Sequence, residues 1–149
     1  MQKVALNDLH EVVQRVMTQL PKKISGATVV ALSGNLGAGK TTFTQALAGT
    51  LGVKETVQSP TYVLMKNYAL PASPLNGGRF NTLIHIDAYR LETPEEFSAL
   101  KPETFLNDHK ALVVIEWPER IEGMLPVPDL VLKFSSQDVG EGERYIGGI

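Results

Sequence analysis

Between residues 9 and 20 the apolar side chains Leu9, Val12, Val13, Val16, Met17 and Leu20 recur at helical spacing, which predicts an amphipathic helix with one buried stripe. Asn7 or Asp8 can cap its start, Glu11 is placed to complete a capping box after Asp8, and Pro21 closes it. The pattern then changes. Thr28 to Leu32 (TVVAL) is a short, unbroken apolar run rich in β-branched residues, as expected of a strand buried on both faces. A glycine-rich loop follows at once, and Thr41 to Leu51 (TTFTQALAGTL) reads as a helix ending at Gly52.

Tyr62 to Tyr68 (YVLMKNY) and Thr82 to Asp87 (TLIHID) are the next strand candidates, separated by the turn-rich stretch Pro71 to Arg79 (PASPLNGGR). The two could pair as a hairpin, although the sequence leaves this open. Thr93, Pro94 and Glu96 supply a cap, a first-position proline and a capping-box acid, predicting a helix with Phe97, Leu100, Phe105 and Leu106 as its apolar positions. Pro102 should break that helix in two. Ala111 to Ile115 (ALVVI) repeats the look of a buried parallel strand. Leu130 to Phe134 is a last strand, before a polar turn through Gly140 and Gly142. Strands alternating with helices imply a mainly parallel sheet covered by helices.

Composition adds limits rather than direction. The 149 residues suit one compact domain, and 43% hydrophobic with 20% charged residues is ordinary for a soluble globular chain. A net charge of -2 argues against a broad electrostatic grip on nucleic acid. The chain has no cysteine, which excludes disulfides, thiolate catalysis and cysteine metal sites. Its three histidines, His10, His85 and His109, show no zinc-site spacing. The first residues lack the apolar core of a signal peptide and no apolar run approaches membrane-spanning length, so a cytoplasmic protein without a membrane partner is expected.

The glycine-rich loop carries the chemistry. Gly34 to Thr41 (GNLGAGKT) fits G-x-x-x-x-G-K-[ST] at every fixed position, between a strand and a helix. Glycines let the backbone turn its amide hydrogens inward as a nest for phosphate oxygens, and the following helix points its positive end at the same anion. The candidate phosphate-binding residues are Asn35, Leu36, Gly37, Ala38, Gly39, Lys40, Thr41 and Thr42. Lys40 can reach the β- and γ-phosphates and the Thr41 hydroxyl can ligate magnesium. Alone, the loop says only that phosphates bind; read with an acidic partner it implies magnesium, and ATP with Mg²⁺ is the expected ligand pair.

Such a loop needs an acidic partner, usually at the C-terminal end of a neighbouring strand. Asp87 ends LIHID and Glu116 ends LVVIE. One acid would bind magnesium and the other would orient or deprotonate the attacking water. Each could instead pair with a nearby arginine, Arg90 or Arg120. Ser59-Pro60-Thr61 stands where a nucleotide-sensing loop could lie, with a plain turn as the alternative. Trp117, the only tryptophan, could fill the core, lid the nucleotide or anchor a partner. His85, flanked by apolar residues, reads as a packed strand residue rather than a catalytic group.

Taken together, GNLGAGKTTF, SPTYVL, HIDAYRL and VIEWPER closely resemble the TsaE (YjeE) family of bacterial proteins, in order from the first helix to about Arg120. The resemblance implies a single P-loop domain over residues 1–149, an α/β three-layer sandwich of the P-loop NTPase type, with a mainly parallel sheet and antiparallel edge strands. It implies a slow, magnesium-dependent ATPase that supports a threonylcarbamoyl transferase complex of TsaB and TsaD type, and meets tRNA only through that complex. Lys40 and Thr41 match the phosphate and magnesium positions, Asp87 the acid that helps hold the metal, and Glu116 the acid tied to hydrolysis. Thr41, Asp87 and Glu116 thus form the candidate metal set, and Glu116 with Lys40 the candidate catalytic pair. Thr61 matches a position near the nucleotide and Trp117 an aromatic position beside the active site. Tyr89 and Arg90 receive no role. Asn35 departs from the acidic residue expected there, Phe97 to Leu106 lacks an expected glycine, and the chain after about Ser135 carries little pattern. Monomer and dimer both stay open, with a monomer expected for the isolated chain.

Three other readings share the loop. A small-molecule kinase would need an acceptor pocket and an arginine-bearing lid, whereas the arginines here are few and scattered. A GTP-driven switch would carry an Asn-Lys-x-Asp pattern, which does not occur. A binding module without turnover differs from an ATPase by the role of Glu116.

Overall fold

The computed structural model describes residues 1–57 and 64–149. One seven-stranded sheet runs through it: β1 (Gln2–Ala5), β2 (Thr28–Gly34), β3 (Met65–Ala69), β4 (Thr82–Asp87), β5 (Ala111–Glu116), β6 (Leu130–Ser135) and β7 (Glu143–Gly147). Their order across the sheet is β1-β7-β6-β2-β5-β4-β3. The four central strands, β6, β2, β5 and β4, are mutually parallel. The outer pairs β1–β7, β7–β6 and β3–β4 are antiparallel, so the hairpin left open by the sequence does form. Parallel strands buried on both faces explain the unbroken apolar runs, because residues facing either way meet a covering layer.

Period-two alternation divides those runs into two cores. Val30 and Leu32 of β2, Leu83 of β4 and Leu112 and Val114 of β5 pack with helices α1 (Leu9–Gln19) and α2 (Lys40–Thr50). All six residues of the α1 stripe are buried, and Leu20 turns out of the helix in an extended conformation before Pro21. Asp8 stands at the N-cap, yet no side-chain bond closes the expected capping box. On the other face Val29, Ala31, Ile84, Ile86, Val113 and Ile115 meet Phe97, Phe105 and Ile121.

That second face is covered differently from expectation. The helix predicted from Thr93 is a pair of 3-10 turns, Pro94–Leu100 and Pro102–Thr104. Thr93 makes no side-chain cap, and the Glu96 carboxylate accepts from the Glu92 amide rather than from that of Thr93. Between the turns Lys101 adopts a left-handed conformation (φ 52) ahead of Pro102, which lacks the amide hydrogen needed to continue a helix. The predicted strand Tyr62 to Tyr68 is observed from Met65, its first residues lying outside the described ones. Strands β1 and β7 were not expected from the sequence. No helix among the described residues is long and apolar enough to cross a membrane.

Candidate active site

Strand β2 delivers the chain into the glycine-rich loop at the C-terminal edge of the parallel strands, where α/β sheets bind ligands. Gly34 has φ 142, and a Cβ there would lie 2.5 Å from the carbonyl oxygen of Phe134 on β6. Gly39, at the N-cap of α2, has φ 106, so only glycine holds this turn without strain. A cavity of about 180 Å³ opens over the loop, lined by Leu36 to Thr42, Asp87, Glu116, Trp117 and Arg144. That volume is below the range of roughly 300–1,000 Å³ usual for whole small-molecule sites.

The two strand-end acids reach this cavity together. Asp87 and Glu116 are direct register partners on β4 and β5, and alternation turns both toward the α2 face. Glu116 is only 3% exposed, and its Oε1 and Oε2 accept from the Thr41 hydroxyl at 3.0 and 3.1 Å. The Tyr89 amide donates to Asp87 Oδ1 at 3.0 Å. Among the described residues the side-chain partners of Glu116 are Thr41 and His85, not an arginine. Arg120 instead lies against the Tyr89 ring, 5.6 Å from its centroid.

Lys40 is buried and folded back on its own loop, donating to the carbonyls of Gly34 and Asn35. Its Nζ also lies 4.3 Å from the centroid of the Trp117 ring. Burial pushes the Lys40 ammonium below the usual lysine range, while the carboxylates of Glu116, Glu119 and Asp87 pull it back up. Trp117 takes a left-handed conformation (φ 61), which a tryptophan rarely adopts, and its ring meets Tyr89 at 4.9 Å between centroids. A non-glycine residue held there beside a cavity marks a place where local strain, on the order of 1–3 kcal/mol, is maintained by its surroundings.

Of the residues singled out from sequence, Leu36, Gly37, Ala38, Gly39, Lys40, Thr41, Thr42, Asp87, Glu116 and Trp117 converge on the cavity. Asn35 does not line it, and contributes its carbonyl oxygen to Lys40 at 3.0 Å. Thr61 and the Ser59-Pro60-Thr61 segment lie outside the described residues. Two residues were missed. His85 is buried as expected, but its Nε2 sits 2.6 Å from Glu116 Oε2, which makes it part of the site. Arg144 arrives from β7, a strand with no sequence signal.

Thr41, Asp87 and Glu116 offer only oxygen donors, the chemistry of a hard cation such as magnesium. Among the described residues no group of three or more His, Cys, Asp or Glu is placed to hold a metal ion.

The sequence model of a family described as "Threonylcarbamoyl adenosine biosynthesis protein TsaE" matches residues 6–146. Proteins named tRNA threonylcarbamoyladenosine biosynthesis protein TsaE are similar along much of their length. The one from Treponema pallidum is 34% identical over 129 residues, covering 87% of each chain. The one from Bacillus subtilis is 37% identical over 125 residues, 78% of this chain and 72% of the relative. The Haemophilus influenzae protein is 34% identical over 112 residues, or 75% of this chain and 65% of that protein's length. Among solved structures, Bacillus subtilis YdiB aligns with a TM-score of 0.63 at 27% identity, over 97% of this chain and 80% of YdiB.

Proposed function

Because the chain belongs to the TsaE family of tRNA threonylcarbamoyladenosine biosynthesis, we propose that its site binds ATP with magnesium and hydrolyses it on behalf of a partner assembly. The observation that carries this reading is the meeting of the Thr41 hydroxyl with both oxygens of Glu116, at 3.0 and 3.1 Å. A phosphate loop alone binds anions. A carboxylate held against the loop's own threonine adds the oxygen donors needed for a cation and for water activation.

In this reading the amides of Leu36 to Thr42 and the Lys40 ammonium hold the β- and γ-phosphates. Thr41 and Asp87 hold magnesium, with Glu116 beside them. When bound, the ion neutralises charge developing on the phosphates. Glu116 orients the attacking water and accepts its proton, aided by a setting that keeps the carboxylate fixed. Lys40 leaves the Gly34 and Asn35 carbonyls and the Trp117 face to reach the phosphates, and Trp117 lies over the loop as a lid. Thr61 senses the nucleotide.

Turnover is slow in isolation and rises with a TsaB/TsaD-type threonylcarbamoyl transferase pair, with hydrolysis resetting that complex between rounds. The protein is a cytoplasmic, single-domain monomer that meets tRNA through the complex. Reconstitution tests this directly. ATP turnover and modified-adenosine production are measured over several rounds with and without this protein. Sustained production that needs both the protein and ATP is expected, and unchanged production in its absence would overturn the reading.

A further inference from the structure

We propose, resting on the reading of this cavity as a nucleotide site, that Arg144 is a second phosphate-binding cation, supplied by β7 opposite the two carboxylates. The sheet order sets the geometry. The glycine-rich loop follows β2, Asp87 and Glu116 enter from β4 and β5 on one side of it, and Arg144 enters from beyond β6 on the other. Its side chain crosses the N-terminus of α2, with Cγ 3.3 Å and Nε 3.8 Å from where a Cβ on Gly39 would stand. The absence of a side chain at Gly39 therefore makes room for this arginine as well as for the turn.

The donors of Arg144 are only partly matched within the protein. Nη1 donates to the backbone oxygen of the adjacent Glu143 at 2.5 Å. Nε is buried and has no acceptor. The neighbouring carboxylate does not answer it, because Glu143 Oε1 takes the Gly140 amide. No salt bridge involves Arg144 among the described residues. A buried guanidinium donor left unmatched beside a phosphate cavity is satisfied by an oxyanion, and the free edge formed by Nε and Nη2 suits two phosphate oxygens at once. With Lys40 serving the carboxylate side, the phosphate chain would run between two cations.

ATP affinity measured by calorimetry tests this with Arg144→Met and Arg144→Lys. Methionine keeps an apolar stem over Gly39 and removes the donors. It is expected to weaken ATP about tenfold or more while the melting temperature stays near that of the wild type. Lysine keeps charge and stem without the fork and should fall between the two, deciding the matter even if the methionine variant folds poorly. Arg144→Met binding ATP within about twofold of the wild type, or, should that variant fold poorly, Arg144→Lys binding ATP as tightly as the wild type, would overturn the assignment alone. Wild-type protein that bound neither ATP nor inorganic tripolyphosphate would instead overturn the nucleotide reading, and this inference with it.

Discussion

Nε2 of His85 lies 2.6 Å from Oε2 of Glu116, and both side chains are nearly closed to solvent. The pair is diagonal across two parallel strands: His85 is in register with Val114, and Glu116 with Asp87. Alternation puts His85, Asp87 and Glu116 on one face, so the histidine reaches the carboxylate from below while Thr41 holds it from the loop. With a threonine and a histidine bonded to it, Glu116 has little freedom to swing away from the cavity. His85 is a positioning residue in this arrangement.

His85→Ala should therefore lower ATP turnover by about tenfold or more while leaving ATP affinity within a few-fold of the wild type, since no phosphate contact is lost. Stability should fall as well, by about 1–3 kcal/mol, because the change strips a buried carboxylate of a partner. His85→Gln, which can still donate, should recover part of the turnover. If both variants hydrolysed ATP at the wild-type rate, the pair would be structural only.

Substitutions at Glu116 and Lys40 should separate chemistry from binding. Glu116→Gln keeps the shape and removes the proton acceptor, so hydrolysis should drop by about a hundredfold or more with ATP binding retained. Lys40→Ala should weaken ATP itself by roughly tenfold to a hundredfold, the range for a hydrogen bond to a charged group. Single-turnover hydrolysis and equilibrium binding on the same preparations distinguish the two. Equal turnover in Glu116→Gln and wild type would leave Glu116 without a catalytic role.

Trp117 is the only tryptophan in the chain, which makes its emission a reporter of the contact with Lys40. Drawing the ammonium onto the phosphates removes a charge from 4.3 Å above the ring, so ATP should change the emission in a saturable way, with a midpoint matching calorimetry. Lys40→Met at saturating ATP should lose most of the change. An emission spectrum indifferent to ATP in a protein shown to bind it would mean that Lys40 does not leave the indole.

The legible parts of this molecule were those where one residue's environment decides its type. The runs TVVAL and ALVVI lie between two covering layers and so carry nearly continuous apolar character, and the P-loop spacing follows from backbone geometry. Strands β1 and β7 were invisible because QKVA and ERYIG, at and next to the sheet edge, are held largely by backbone pairing and have few buried side chains. Arg144 was lost with β7. The role of His85 depended on strand register, which its apolar flanks do not reveal. The helix expected from Thr93 failed because a capping pattern states how a helix could begin, while Lys101 and Pro102 prevent its continuation.

The lowered Lys40 value gives ATP affinity a definite dependence on pH. In the free protein burial disfavours the ammonium, and phosphate oxygens brought beside it favour the charged form again. Binding should therefore take up a proton once the pH exceeds the free protein's Lys40 value, which lies below that of an ordinary lysine. Between that value and the higher one in the complex, affinity falls as pH rises, by at most about tenfold per pH unit for one coupled proton. Below that range Lys40 is charged in both states and contributes no slope. Calorimetry in two buffers of different ionisation enthalpy measures the uptake, and Lys40→Arg, charged throughout, should abolish it. Proton release on binding in that range, or an affinity that climbs with pH, would show that Lys40 does not face the phosphates.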